Sequence, residues 1–454
     1  MPHRKEHTMF KNTDLTQGSV TKGLLSYFFP ILFGAVFQQL YNTVDAMVVG
    51  KTLGPVALAA VGGSSAHVLN LLIGFFGGLA GGATVLIAQY FGAREHAHLR
   101  SALHTTVAFS FLAGAFLTVF GIWITPSFLR WMKTPEESMD YSVQYVRIIF
   151  AGVIPGFVYN MGSGILRAMG DSKRPLMFLI LACVTNIVLD LVFVLALKME
   201  VAGVAVATAL SQVLSAILVL AAMSKLDPVY AFRFREMRLH KNDVQKILRI
   251  GFPAAVQASM YGISNLLIQT FVNELGTLSV AAWTATGKVD SVFWIIMGSF
   301  GTTILTFVGQ NLGAKEEKRA REGVKNCLVM SVASAIVLTL ILFIFAEPLL
   351  GIFTDDPEVV ARGVVMIRYL CPLYFTWPLV EIFGGALRGA GDALYPMLIT
   401  VVGICALRIA WLYIAVPLFP GIETICLSYP VTWVVTGSAL LIYYLKRGLK
   451  NRLN

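Results

Sequence analysis

The chain has 454 residues, of which 57% are hydrophobic and 13% charged, with a mean hydropathy of +0.73. Soluble domains carry about 25% charged residues, so this composition excludes an ordinary soluble fold and indicates an all-α polytopic membrane protein. The formal charge of +10 is spread over alternate loops and both tails, which argues against a nucleic-acid surface.

The first 23 residues are polar and mixed, lack the order of a cleaved signal, and read as a cytoplasmic tail in which Met9 is an alternative start to Met1. Six apolar runs follow, at 24–50, 56–88, 101–125, 140–166, 176–198 and 201–223, and form an N-terminal lobe over 24–225. Each meets the requirement of about 20 residues for a bilayer span. Residues 226–247 are the main polar break and read as a cytoplasmic linker. From Lys241 the linker forms either a short amphipathic helix on the membrane surface or an ordinary charged connection. Six more spans, at 248–273, 279–310, 325–350, 362–387, 396–418 and 424–445, form a C-terminal lobe over 248–446, and 447–454 is a cytoplasmic tail. Of the 35 Lys and Arg residues, 26 fall in the tails and in loops on one side of this topology. The positive-inside rule places that side, and both termini, in the cytoplasm.

The two halves repeat one another. Residues 165–177 read ILRAMGDSKRPLM and residues 386–398 read ALRGAGDALYPML. Arg167, Gly170, Asp171 and Pro175 recur as Arg388, Gly391, Asp392 and Pro396, each 221 positions later. Pro30 recurs as Pro253, Leu53-Gly54 as Leu275-Gly276, and Phe91-Gly92-Ala93 is echoed by Leu312-Gly313-Ala314. Six spans per copy makes the repeats parallel, related by a pseudo-two-fold axis along the membrane normal, as in transporters with a site near the repeat interface. In the shared R-x-x-G-D…P element, Gly stops one helix, Asp caps the next, and Pro fits its first turn.

Ionisable groups inside a bilayer are costly and need a partner or a wet cavity. Asp45 lies toward the outer end of span 1, and Asp190 lies in span 5 with Asn186 one turn before it. Thr208 of span 6 falls at similar depth. Together they can make an oxygen-rich site for a cation or proton. The alternative is that each Asp sits at the membrane interface and meets water. At the repeat offset Asp190 becomes Trp411 and Asp45 becomes Ile268 or Leu267, so this chemistry is expected in the N-terminal half alone. Glu381 in span 10 and Arg408 in span 11 are candidates for a substrate or secondary site, or for an ion pair with each other. Lys288 and Asp290, two apart, do not face one another. The five cysteines lie in or beside apolar spans and read as free core residues. No phosphate loop, zinc-protease helix or nucleophile elbow is present, so no enzyme is expected.

Four stretches, QQLYNTVDAMVVG in span 1, ALAAVG opening span 2, NIVLD in span 5 and GVAVAT in span 6, join the RAMGD element in a chain-long resemblance to the MATE (multidrug and toxic compound extrusion) transporters. The resemblance implies a twelve-helix, two-lobe antiporter of the plasma membrane. Such a protein expels amphipathic, often cationic compounds against protons or sodium ions, needs no cofactor, and works here as a monomer. The family's N-lobe cation site matches Asp45, Asn186, Asp190 and Thr208. Gln38, Tyr41 and Asn42, in the same span-1 motif, are further candidates for substrate contact. One branch carries a Glu in span 7 where this chain has Tyr261, which favours the DinF-like arrangement. A flippase for lipid-linked precursors, sharing the two-lobe architecture, is the alternative.

Overall fold

The computed structural model describes residues 14–132 and 134–451, so Met1 and Met9 lie outside it. Every regular element among the described residues is helical. By length and composition, ten helices can cross a membrane, or eleven when the bent pair Glu136–Ala151 and Val153–Ala168 counts as one. The remaining predicted span, 248–273, lies in the helix Lys241–Glu274. It is fully helical but less apolar, because Gln257, Ser259, Ser264, Asn265, Gln269 and Thr270 interrupt it.

Contacts divide the chain into two compact units. One holds the described residues of Met1–Leu69 with Leu86–Gln245; the other holds Asn70–Val85 with the described residues of Lys246–Asn454. The middle of the helix Ser64–Gly92 therefore belongs with the second unit. Its glycines explain this. Gly74, Gly78 and Gly82 recur every four residues and form one stripe. That stripe meets Ala258, Ala255 and Gly251 of Lys241–Glu274 so closely that a Cβ on Gly78 would stand 2.7 Å from the Ala254 carbonyl carbon. With no side chain on one helix and only alanine or glycine facing it, the backbones approach directly, as small residues allow in membrane proteins.

The repeat written in the sequence is also written in the backbone. Left-handed φ angles occur at Gly54 and Gly276 (82° and 87°), at Arg94 and Lys315 (56° and 62°), and at Gly170 and Gly391 (85° and 89°). The last pair closes identical turns: the amides of Asp171 and Asp392 donate to Leu166 and Leu387 carbonyls, each at 2.9 Å. This is the helix-ending motif in which glycine alone escapes a Cβ clash. Asp171 caps the next helix as expected, accepting from the Arg174 amide at 3.1 Å, and pairs with the Arg174 side chain, not with Arg167. Asp392 instead accepts from the Tyr443 hydroxyl at 2.7 Å. Gly170→Ala and Gly391→Ala are each expected to cost about 1 kcal/mol, read as a lower melting temperature in detergent. An unchanged melt for both would mean that the turn relaxes freely.

Both copies also break their fourth span midway. Glu136–Ala151 meets Val153–Ala168 at a 50° bend, and Pro357–Leu370 reaches Trp377–Gly389 through a 3-10 stretch, Cys371–Thr376. The fifth span of each copy carries a π-helical turn: Val192–Ala196 follows Lys173–Leu191, and Val401–Ala406 precedes Leu407–Leu418.

The linker is not a loose connection. Lys241 opens the long seventh-span helix without a break, so no separate surface helix exists there. The segment before it is tied to the first turns of the helix His96–Trp131. Arg100 grips Glu236 with two nitrogens, at 2.8 and 2.5 Å. His104 Nδ1 donates to the Arg100 carbonyl at 2.8 Å, which leaves Nε2 to accept from the Arg233 amide at 3.0 Å. Ser101 donates to Asp243 at 2.6 Å. The bond from Arg100 holds the Glu236 carboxyl below its ordinary value. A lowered carboxylate stabilises the fold above the ordinary carboxylate range, about 4.3, and this contribution is lost as pH falls through the folded value. The parent is therefore expected to melt above Glu236→Gln at pH 7, with the gap closing once pH has fallen through that lowered folded value. A gap that persists there would show that the carboxylate charge is idle.

Candidate cation-coupling site

Four helices of the first unit build the site. The helix Lys173–Leu191 packs on both Val20–Thr52 and Glu200–Ser224, and Glu136–Ala151 packs on Glu200–Ser224. Asp45, on the first of these partners, and Asp190 are 7% and 0% exposed. Their carboxyl groups face each other within hydrogen-bonding reach. Neither acid therefore sits at a wet interface. Asn186 is fully buried one turn before Asp190, on the same helix face. The Tyr41 hydroxyl lies beside Thr208 and Ser211 and close to Asp45, so Thr208 joins the cluster through Tyr41.

The cluster is rich in polar atoms and poor in partners. Among the described residues, Asp45 Oδ1, both Asp190 oxygens, both Asn186 amide atoms, Thr208 Oγ1 and Tyr41 Oη have no hydrogen-bond partner. Buried polar groups are nearly always paired, and each exception calls for a ligand, ion or water. Two facing carboxylates offer only acceptors, which a bare cation or a shared proton satisfies. Among the described residues no three His, Cys, Asp or Glu side chains are grouped to hold a metal; Asn186, Thr208 and Tyr41 offer neutral oxygens beside the two acids.

Tyr145 was not foreseen. It stands 4% exposed on Glu136–Ala151, close to both Asp45 and Asp190. A lone tyrosine in EESMDYSVQYVRIIFA gives no charge signal; the buried run Ser138, Ser142, Tyr145 and Val146 on one face was the only pointer. Of the other span-1 candidates, Tyr41 enters the cluster, whereas Asn42 is exposed and Gln38 half-buried.

The candidates of the second unit lie apart from each other. The Glu381 carboxyl packs on Gly301, and its charged neighbour is Arg388. Arg408 donates to Thr432 at 3.1 Å and stacks over the Tyr429 ring at 3.9 Å. The expected Glu381–Arg408 ion pair is absent among the described residues: Glu381 turns to Gly301 and Arg388, and Arg408 to Thr432 and Tyr429, with Tyr261 bordering both. Asp290 accepts from Trp294 at 2.6 Å and from Tyr374, and Lys288 is exposed.

The MatE family model matches this chain twice, over residues 30–192 and 253–414. The chain belongs to the MatE family. It is a multi-pass membrane transporter and not an enzyme. Among curated relatives, the probable multidrug resistance protein YoeA of Bacillus subtilis is 29% identical, over 94% of this chain and 93% of that protein. The FAD transporter of Shewanella oneidensis is 27% identical over 95% of each. A MOP superfamily transporter from Pyrococcus furiosus shares the MatE fold with a TM-score of 0.90 and 22% identity, covering 96% of this chain and 98% of that one.

Proposed function

We propose that this MatE transporter exports amphipathic, cationic small molecules across the plasma membrane in exchange for protons or sodium ions. The coupling ion is held by Asp45 and Asp190, with Asn186, Thr208 and Tyr41 completing its shell. The observation that carries this reading is the pair of buried acids facing each other with unpartnered oxygens. Like charges this close cannot both persist in a dry interior, so binding of a cation or proton is strongly favoured. Neutralising the pair changes how Val20–Thr52 can pack against Lys173–Leu191, which gives ion and drug the differential affinity for two conformations that coupling requires. In this proposal the chain acts as a monomer with both termini cytoplasmic, its lobes run over 24–225 and 248–446, and residues 226–247 join them.

The test is efflux from proteoliposomes with proton and sodium gradients imposed separately. Drug movement is expected to follow one gradient and to collapse when that gradient is dissipated. Movement that ignores both gradients would remove the antiport reading.

A further inference from the structure

The two copies place opposite charges beside their π turns. In the first copy Asp190 lies two residues before Val192–Ala196; in the second Arg408 lies two residues after Val401–Ala406. π turns are rare and concentrate at functional sites, because they free backbone groups and re-aim side chains. Arg408 is only 3% exposed. Its surroundings supply a hydroxyl (Thr432), two phenols (Tyr429 and Tyr261) and a thiol (Cys405), and among the described residues no carboxylate pairs with it. Its Nε has no hydrogen-bond partner among the described residues. Two acids border this cluster, each beyond an intervening ring: Glu381 beyond Tyr261, and Asp290 beyond Tyr429, where Trp294 and Tyr374 already bond it. A buried guanidinium lacking a counter-ion is costly, and an arginine fork matches an oxyanion in both charge and geometry. Tyr429, whose ring covers the guanidinium, is itself half-buried.

We propose that Arg408 anchors an anion subsite in the C-terminal copy, which takes the carboxylate, sulfonate or phosphate of an amphipathic molecule. Arg408 supplies the fork, Thr432 fixes its orientation, and the Tyr429 ring holds it in place from the other side. The transporter then reads both signs of charge, with acids in the first copy and an arginine in the second. This inference does not depend on which cation drives transport.

The test uses two xanthene dyes of nearly one shape and opposite charge, the carboxylate fluorescein and the cation rhodamine 123. Binding to the purified full chain is measured by fluorescence anisotropy, in phosphatidylcholine vesicles with and without phosphatidylglycerol. The parent is expected to bind fluorescein saturably. Arg408→Gln should lower the ratio of fluorescein to rhodamine affinity about tenfold or more, the size of a charge-assisted bond. Arg408→Lys, which keeps the charge without the fork, should fall between. If phosphatidylglycerol competes with fluorescein in the parent but not in Arg408→Gln, the oxyanion normally bound comes from lipid; if it does not compete, the oxyanion comes from substrate. A parent that fails to bind fluorescein would overturn the proposal whether or not the variants fold. So would well-folded variants in which both dyes weaken in proportion, which would make Arg408 a packing residue held by Tyr429 and Thr432.

Discussion

Replacing Asp190 by Asn is expected to remove most gradient-driven efflux while the protein still folds. Asn has the shape of Asp and loses only its charge, and at this fully buried position the neutral form is the easier one to keep. The loss falls on coupling. With one acid gone, Asp45 faces an amide, and the repulsion that a cation relieves no longer exists. The initial efflux rate should drop about tenfold to a hundredfold, the worth of one or two charge-assisted contacts. Asp45→Asn should do the same, and the double variant should be little worse than either, because the acids act as a pair. The measurement is drug efflux under the driving gradient, with monodispersity and melting temperature as the check on folding. If Asp190→Asn pumps at the parent rate, the coupling site lies elsewhere.

Gly78→Leu is expected to cost more stability than any other single change considered. A Cβ at Gly78 would press on backbone atoms of Ala254 and Ala255, which no side-chain rotation can relieve. The two helices must separate, and a whole leucine enlarges the gap; the cost should be at least about 3 kcal/mol. Even Gly78→Ala should lower the melting temperature. The neighbouring Gly77 provides the contrast, because a Cβ there meets open space. Gly77→Ala should be neutral or stabilising by up to about 1 kcal/mol, since alanine favours helix. Equal melts for Gly77→Ala and Gly78→Ala in detergent would disprove the close approach.

Much of this architecture was legible because the features that carry it are sequence-local. A left-handed turn needs glycine, so Gly170 and Gly391 announced two helix ends, and their shared offset announced the duplication. Acids in apolar runs stand out, which exposed Asp45 and Asp190. What stayed hidden depends on contacts between distant segments. Tyr145 is an unremarkable residue until a neighbouring helix carries it to the acids. Arg408 and Glu381 invited pairing by charge, but nothing in periodicity tells which face of a neighbouring helix each meets. The π turns have no compositional signature, and the linker's hold on Arg100 and His104 joins residues more than 120 positions apart.

The glycine stripe of Ser64–Gly92 also sets an order of assembly. Its partners lie at residues 247–262, so they leave the ribosome more than 160 residues after Gly82. The linker's anchors, by contrast, need only the first 243 residues. During synthesis the first unit can therefore fasten its own linker while the glycine face of Ser64–Gly92 still lacks its partner. A chain stalled before residue 247 should accordingly yield a membrane-inserted first half with one helix unmated. Quality-control machinery that senses unpaired small-residue faces would meet this protein at that stage, before its full set of helices exists.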